Sequence, residues 1–281
     1  MGCVLLGAVV LLTDAGATAR SEPEGTLEAT RLVRRALERA AWARDQGFEG
    51  RYRCEMTRDV RRFDSDGRIE REEVREFEIE PVDGVPFARV VARDGQPLSA
   101  EEIAAEQERR QQFAEAVANG THVADEEDDE IVFNEDVVGR YTFQTEGEEQ
   151  LRGRLTYRLA FRPRAGRLPV RRHLDHALNN AQGALWIDQA TFEVARIEFT
   201  LIDRVRMWWG ILGSISHARG SFDRYPIEEE IWAPLQLETY IDARVLFRSN
   251  RRAELSQWRN FEGVSAAGGE RARQSNFAIG R

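Results

Sequence analysis

Apolar and polar residues alternate with a period of two over most of the chain beyond residue 50. Between Leu151 and Phe161 the odd positions carry Leu151, Gly153, Leu155, Tyr157, Leu159 and Phe161, while the even ones carry Arg152, Arg154, Thr156, Arg158 and Ala160. The same phase recurs in Leu235, Leu237, Ile241, Ala243, Val245 and Phe247, opposed by Gln236, Glu238, Asp242, Arg244 and Arg248. Ala195, Ile197, Phe199 and Leu201 form a third set, and Tyr52, Cys54 and Met56 a fourth. Successive side chains of a strand point to opposite faces, so this pattern predicts an antiparallel sheet with one apolar and one wet face.

Turn chemistry separates the strands. Asp64-Ser65-Asp66-Gly67 predicts a hairpin between strands near 50–62 and 68–80, and Arg93-Asp94-Gly95 ends a third strand. Thr145-Glu146-Gly147 is expected to turn the chain into the Leu151 strand, and Pro226 and Pro234 belong at strand ends or edges. Two segments change period. Thr26 to Gln46 places Leu32, Val33, Ala36, Leu37, Ala40 and Ala41 at helical spacing, with Thr26 as N-cap and Gly47 as the stop. A second helix begins at Ser99, with Glu102 completing a capping box, and stops near Asn119-Gly120. No internal repeat or Pro/Gly-rich boundary divides the chain. The linker-like pieces are Asp125–Glu130, Arg164–Gln182 and the tail. The expectation is one domain over residues 20–262, followed by a flexible tail over 263–281.

Composition narrows the function. The 281 residues are 42% hydrophobic, which excludes a disordered chain, and a net charge of -9 argues against a nucleic-acid partner. All 40 basic residues are Arg, so no lysine can form a Schiff base. Val4–Leu12 is too short to span a bilayer, and Ala17-Thr18-Ala19 fits a signal-peptidase site before Arg20. Residues 1–19 therefore read as a signal peptide. Cys3 precedes the apolar run, whereas a lipidated cysteine follows one. The remaining Cys54 reads as a small buried hydrophobe.

Candidate chemistry is sparse. His173-Leu174-Asp175-His176 resembles a metal cluster, but nothing in the sequence completes a tetrahedral set, and a solvated loop is expected. Asp125–Glu130 lacks the spacing of a calcium loop and reads as a self-repelling loop. No nucleophile elbow, P-loop or dinucleotide fingerprint occurs. Neither catalytic residues nor a metal or cofactor are expected. Trp208 and Trp209 cannot both hide beneath one sheet if they lie in a strand.

With these residues in place the chain resembles the LolA-like family of periplasmic lipoprotein carriers and their relatives. The resemblance rests on the signal peptide, the N-terminal amphipathic helix and the Asp-x-Asp-Gly hairpin. It also rests on Gly153-Arg154-x-x-Tyr157-x-Leu159-x-Phe161-x-Pro163, on Gly183-Ala-Leu-Trp186-Ile-Asp188 followed by Arg196, and on Glu230-Ile231-Trp232-Ala233-Pro234. It implies a mainly β, α+β fold: a strongly curved antiparallel sheet forming an incomplete barrel, wrapped over an N-terminal and a second helix. It further implies a periplasmic, non-enzymatic binding protein whose apolar cavity holds acyl chains of lipid or lipoprotein, peripheral to the membrane at most.

The period-two phase nominates Leu155, Tyr157, Leu159, Phe161, Ile197, Phe199, Leu237, Ile241 and Val245 for that cavity, with Trp208, Trp209, Ile211 and Leu212 at its rim. A second class, an envelope sensor or scaffold, would bind a partner protein through the same sheet. A third, a metal-dependent hydrolase, would use His173, Asp175 and His176.

Overall fold

A computed structural model describes residues 24–121, 133–207, 213–245 and 248–264. The signal-like segment, Asp125–Glu130, Trp208, Trp209, Ile211, Leu212 and the tail from residue 265 lie outside the described residues. Among the described residues twelve strands form one antiparallel sheet. In chain order they are β1 (Tyr52–Phe63), β2 (Ile69–Val82), β3 (Val85–Arg93), β4 (Gln96–Pro97), β5 (Tyr141–Leu151) and β6 (Arg154–Pro163), then β7 (Ala181–Asp188), β8 (Val194–Leu201), β9 (Val205–Met207), β10 (Gly213–Pro226), β11 (Trp232–Val245) and β12 (Arg248–Gly263). Among the described residues four α-helices accompany them: α1 (Glu24–Gln46), α2 (Ala100–Ala118), α3 (Glu135–Val138) and α4 (Leu174–Leu178).

The spatial order is β4-β3-β2-β1-β12-β11-β10-β8-β7-β6-β5, with β9 paired to β10. Antiparallel pairing of β1 with β12 joins strands nearly 200 residues apart, and β4 and β5 stand at opposite edges. The sheet does not close, which makes it an incomplete barrel with flanking helices.

The main core lies between α1 and the β5–β8 half. Ala29, Leu32, Val33 and Ala36 meet Tyr141, Leu159, Phe161, Leu185, Ile187 and Val194 there. Their three-and-four spacing forms the apolar stripe that the sheet buries. Gly183 lets the strands approach: a Cβ on it would lie 1.8 Å from the Glu198 carbonyl oxygen and 2.9 Å from Phe161 Cζ. At the other end α2 packs on β3 through Phe87 and Phe113, whose ring centroids are 4.9 Å apart. Glu106 of α2 accepts from the Val90 N–H at 3.1 Å, and Arg109 donates to the Ala88 carbonyl.

Several local expectations require correction. The α1 helix starts at Glu24, so Thr26 lies inside it; its hydroxyl does not cap the helix, whereas Gly47, at φ 61, does close it. Thr145-Glu146-Gly147 is no turn, because β5 continues through it with a register shift between Thr145 and Gly147. Gly147 absorbs that bulge at φ 132, and the hairpin turns instead at Arg152-Gly153, both with positive φ. Leu151 therefore ends β5, and the following strand starts at Arg154. The polar segment 164–182 contains α4 and the start of β7, so it is only partly loop. Pro234 lies within β11, tolerated by a register shift opposite Asp223 and Arg224. The capping box of Ser99 with Glu102 and the Asp64–Gly67 hairpin form as expected.

Candidate ligand-binding face

The strand registers define rows of side chains that cross the sheet on the face occupied by α1, because directly paired residues point to the same side. One row runs across ten strands: Thr145, Leu159, Leu185, Ile197, Phe222, Leu237, Ser256, Arg58, Arg75 and Arg93. Its neighbour on one side continues from Phe161 through Gly183, Phe199, Gly220, Thr239, Glu254 and Val60 to Glu73. On the other side Trp258, Met56, Phe77 and Val90 form an apolar row. The face thus changes along its length, from an apolar half under α1 to an apolar strip beside arginines.

The predicted cavity residues fall on this face with different fates. Leu159 and Phe161 are buried in the core, and Tyr157, Ile197 and Phe199 pack against it. Leu237 is half-buried on β11, whereas Leu155 and Ile241 are 44% and 38% exposed. Val245 ends β11 opposite Gly213 and Arg248. Helix α1 occupies the half around Leu159; the half built on β10, β11, β12, β1 and β2 presents Phe222, Leu237, Ile241, Met56, Phe77 and Trp258. The Met207–Gly213 pair brings together the two ends of the segment that carries Trp208 and Trp209.

Cys54 is buried opposite Ile79, and burial pushes its thiol up to about 11, so it stays protonated and inert at neutral pH. Asp175 sits in α4 rather than in a solvated loop, fully buried. It accepts from the N–H groups of Arg171 and Arg172 at 2.7 and 3.1 Å and lies 3.2 Å from Arg140. Burial pushes its carboxyl up, but these donors win and hold it below the usual range. Asp175 is therefore committed to the scaffold, and no group of three or more metal-ligating side chains occurs among the described residues.

Sequence reasoning missed the arginines of this face. Arg58 and Arg62 on β1, and Arg71 and Arg75 on β2, alternate with period two in one hairpin, and that was the available signal. A separate groove of about 590 Å³ opens on the opposite face of the sheet. Its floor is small (Ala160, Ala184 and Ser221), and its walls include Arg158, Arg196 and Tyr240. Trp186 lies beside it, with Arg158 and Arg196 guanidinium carbons 5.3 and 5.5 Å from its ring centroid.

No family model matches the chain, and no curated protein matches it. Among solved structures it is similar to a DUF1329 family protein from Desulfovibrio piger, at 13% identity and a TM-score of 0.33, covering 83% of this chain and 94% of that one. It is also similar to the complex of MucA and MucB from Pseudomonas aeruginosa, at 11% identity and a TM-score of 0.21, covering 82% and 100%. A LolA superfamily protein from Nitrosomonas europaea is similar at 12% identity, with a TM-score of 0.27 and coverage of 84% and 93%.

Proposed function

We propose that the protein is a non-enzymatic binding protein of the bacterial envelope that holds an acyl chain of a lipid or a lipidated protein. The observation that carries this reading is the strip of Phe222, Leu237, Ile241, Met56, Phe77 and Trp258 on the helix-bearing face, outside the α1 core. Each large apolar group removed from water contributes roughly 1.5–3 kcal/mol, so six such groups can retain a chain without covalent chemistry. The signal-like segment at residues 1–19 supports a periplasmic location, and no helix among the described residues is long and apolar enough to cross a membrane. Trp208, Trp209, Ile211 and Leu212 are proposed as the rim of this site. Native mass spectrometry of the purified protein, with extraction of bound lipid, tests the reading. A co-purifying acyl species supports it; a ligand-free chain that also fails to bind a fluorescent fatty acid overturns it.

One observation favours a second reading, a partner protein bound by the sheet. In the groove of the opposite face, Arg162, Arg219 and Glu238 make no ion pair among the described residues. Small floor residues between such charges suit an extended partner segment. Charge reversal at Arg162 and Arg219 would weaken capture of that partner and leave acyl binding unchanged.

A further inference from the structure

We propose that the basic end of the helix-bearing face is a binding site for a phosphate-class anion, either free or as the headgroup of the amphiphile whose chain the apolar strip holds; the headgroup form rests on the function proposed above. Six arginines project there from four adjacent strands: Arg58 and Arg62 of β1, Arg71 and Arg75 of β2, Arg93 of β3 and Arg252 of β12. All but Arg93 line, together with Glu73, a cavity of about 200 Å³ floored by Val60.

The registers set like charges directly against each other four times. Arg58 pairs with Arg75, Arg75 with Arg93, Arg62 with Arg71, and Arg62 with Arg252. Directly opposed like charges destabilise a sheet, so a fold under selection for stability alone has no reason to repeat them. The local carboxylates are too few to neutralise the group. Glu254 serves Arg58, at 2.5 Å, and Arg252. Glu73 is shared by Arg71 at 3.3 Å, Arg75, and Arg93 at 3.9 Å. Arg93 also reaches Glu102 of α2 at 3.4 Å. Arg62 makes no ion pair among the described residues. This surplus of positive charge sits on a chain whose net charge is -9.

Guanidinium groups present planar pairs of donors that match phosphate oxygens, and several around one cavity can hold a tetrahedral anion. The apolar row of Trp258, Met56 and Phe77 runs alongside Ser256, Arg58 and Arg75 on the same face. An acyl chain on the first row therefore brings a headgroup within reach of the second. The face holds both halves of an amphiphile site, chain beside charge.

The test compares three probes on the full chain: inorganic phosphate, a monoacylglycerol phosphate below its micelle concentration, and the monoacylglycerol of the same chain without phosphate. The phosphorylated amphiphile is expected to bind at least tenfold more tightly than its neutral counterpart. That difference should shrink at high salt and vanish in the double variant Arg62→Gln, Arg71→Gln. The variant should also melt higher than the native chain in phosphate-free buffer, and gain less from added phosphate. If neither amphiphile binds while inorganic phosphate still raises the melting temperature of the native chain and not of the variant, the acyl reading falls and the anion site stands for free phosphate. If both amphiphiles bind equally and phosphate shifts neither protein, the arginines are an ordinary ion-paired surface and the proposal is overturned, with the acyl reading intact.

Discussion

Arg39 of α1 and Glu193 ahead of β8 tie the helix to the sheet. The Arg39 Nε donates to Glu193 Oε1 at 2.9 Å, and the Glu193 side chain is 2% exposed. Arg224 of β10 donates to the other carboxylate oxygen at 2.6 Å and also to the Trp232 carbonyl at 3.0 Å. One buried carboxylate thus couples the element that fills half of the candidate face to the strand that begins the other half.

Replacing Glu193 by Gln removes the charge that two guanidiniums share and leaves them facing a poor acceptor. Breaking one member of a buried pair is expected to lower stability by about 3 kcal/mol, read as a reduced urea midpoint. Adding Arg39→Met should restore part of the loss. A single variant as stable as the native chain would show that α1 is held by its apolar stripe alone.

Gly183 permits contact closer than any side chain allows. Gly183→Ala is expected to cost about 2–3 kcal/mol, because the Glu198 carbonyl is backbone and cannot move aside cheaply. Gly25→Ala, with nothing within 4 Å of its added methyl, serves as the neutral comparison in the same thermal melts.

Acid should release a second tie. Asp188 is 1% exposed and bonds to Arg154 at 2.6 and 2.9 Å and to the Thr191 N–H and hydroxyl, both at 2.8 Å. Burial pushes its carboxyl up, but these donors hold it below its ordinary value of 3.8. A carboxyl lowered by folding stabilises the fold above its unfolded value, and that contribution is lost as pH falls through the folded one. Asp188→Asn is thus expected to be less stable than the native chain at pH 7, with the gap narrowing below about pH 4. A gap that stays constant down to pH 2 would refute the assignment.

The Cys54 thiol is expected to resist Ellman's reagent in the native protein and to react fully in denaturant, measured in a Cys3→Ser chain. Rapid native labelling would mean that β1 and β2 part more readily than their register indicates.

The sequence showed what local chemistry can encode. Ser99 and Glu102 announce their helix because both halves of the capping box lie within one turn, and Asp64–Gly67 announces its hairpin because the residue types suit the turn. Gly147 misled because a glycine after Glu resembles a turn whether it serves a turn or a bulge; only the Arg158 partner opposite it decides. The period-two phase correctly put Leu159 and Ile197 on one side of their strands. It could not say that Arg58 would stand in line with Leu237 through Ser256, since pairing between β1 and β12 is settled by the whole sheet. The buried Asp175 was hidden for a similar reason: its donors are backbone N–H groups, which no residue letter reveals.

The two ends of the open sheet are guarded by different means. An unpaired strand edge is a template on which another copy of the chain can add. At the β3 end, Glu106 and Arg109 take up the outward-facing Val90 N–H and Ala88 carbonyl, so α2 stands in for the missing neighbour, and the short β4 with Pro97 offers little else. At the β5 end, Glu146, Glu148 and Glu149 are all exposed, and the bulge at Gly147 breaks the ladder's regularity. A second β5 laid antiparallel would bring carboxylates against carboxylates. The half-barrel can therefore stay open without its rims becoming a seed for fibrous assembly.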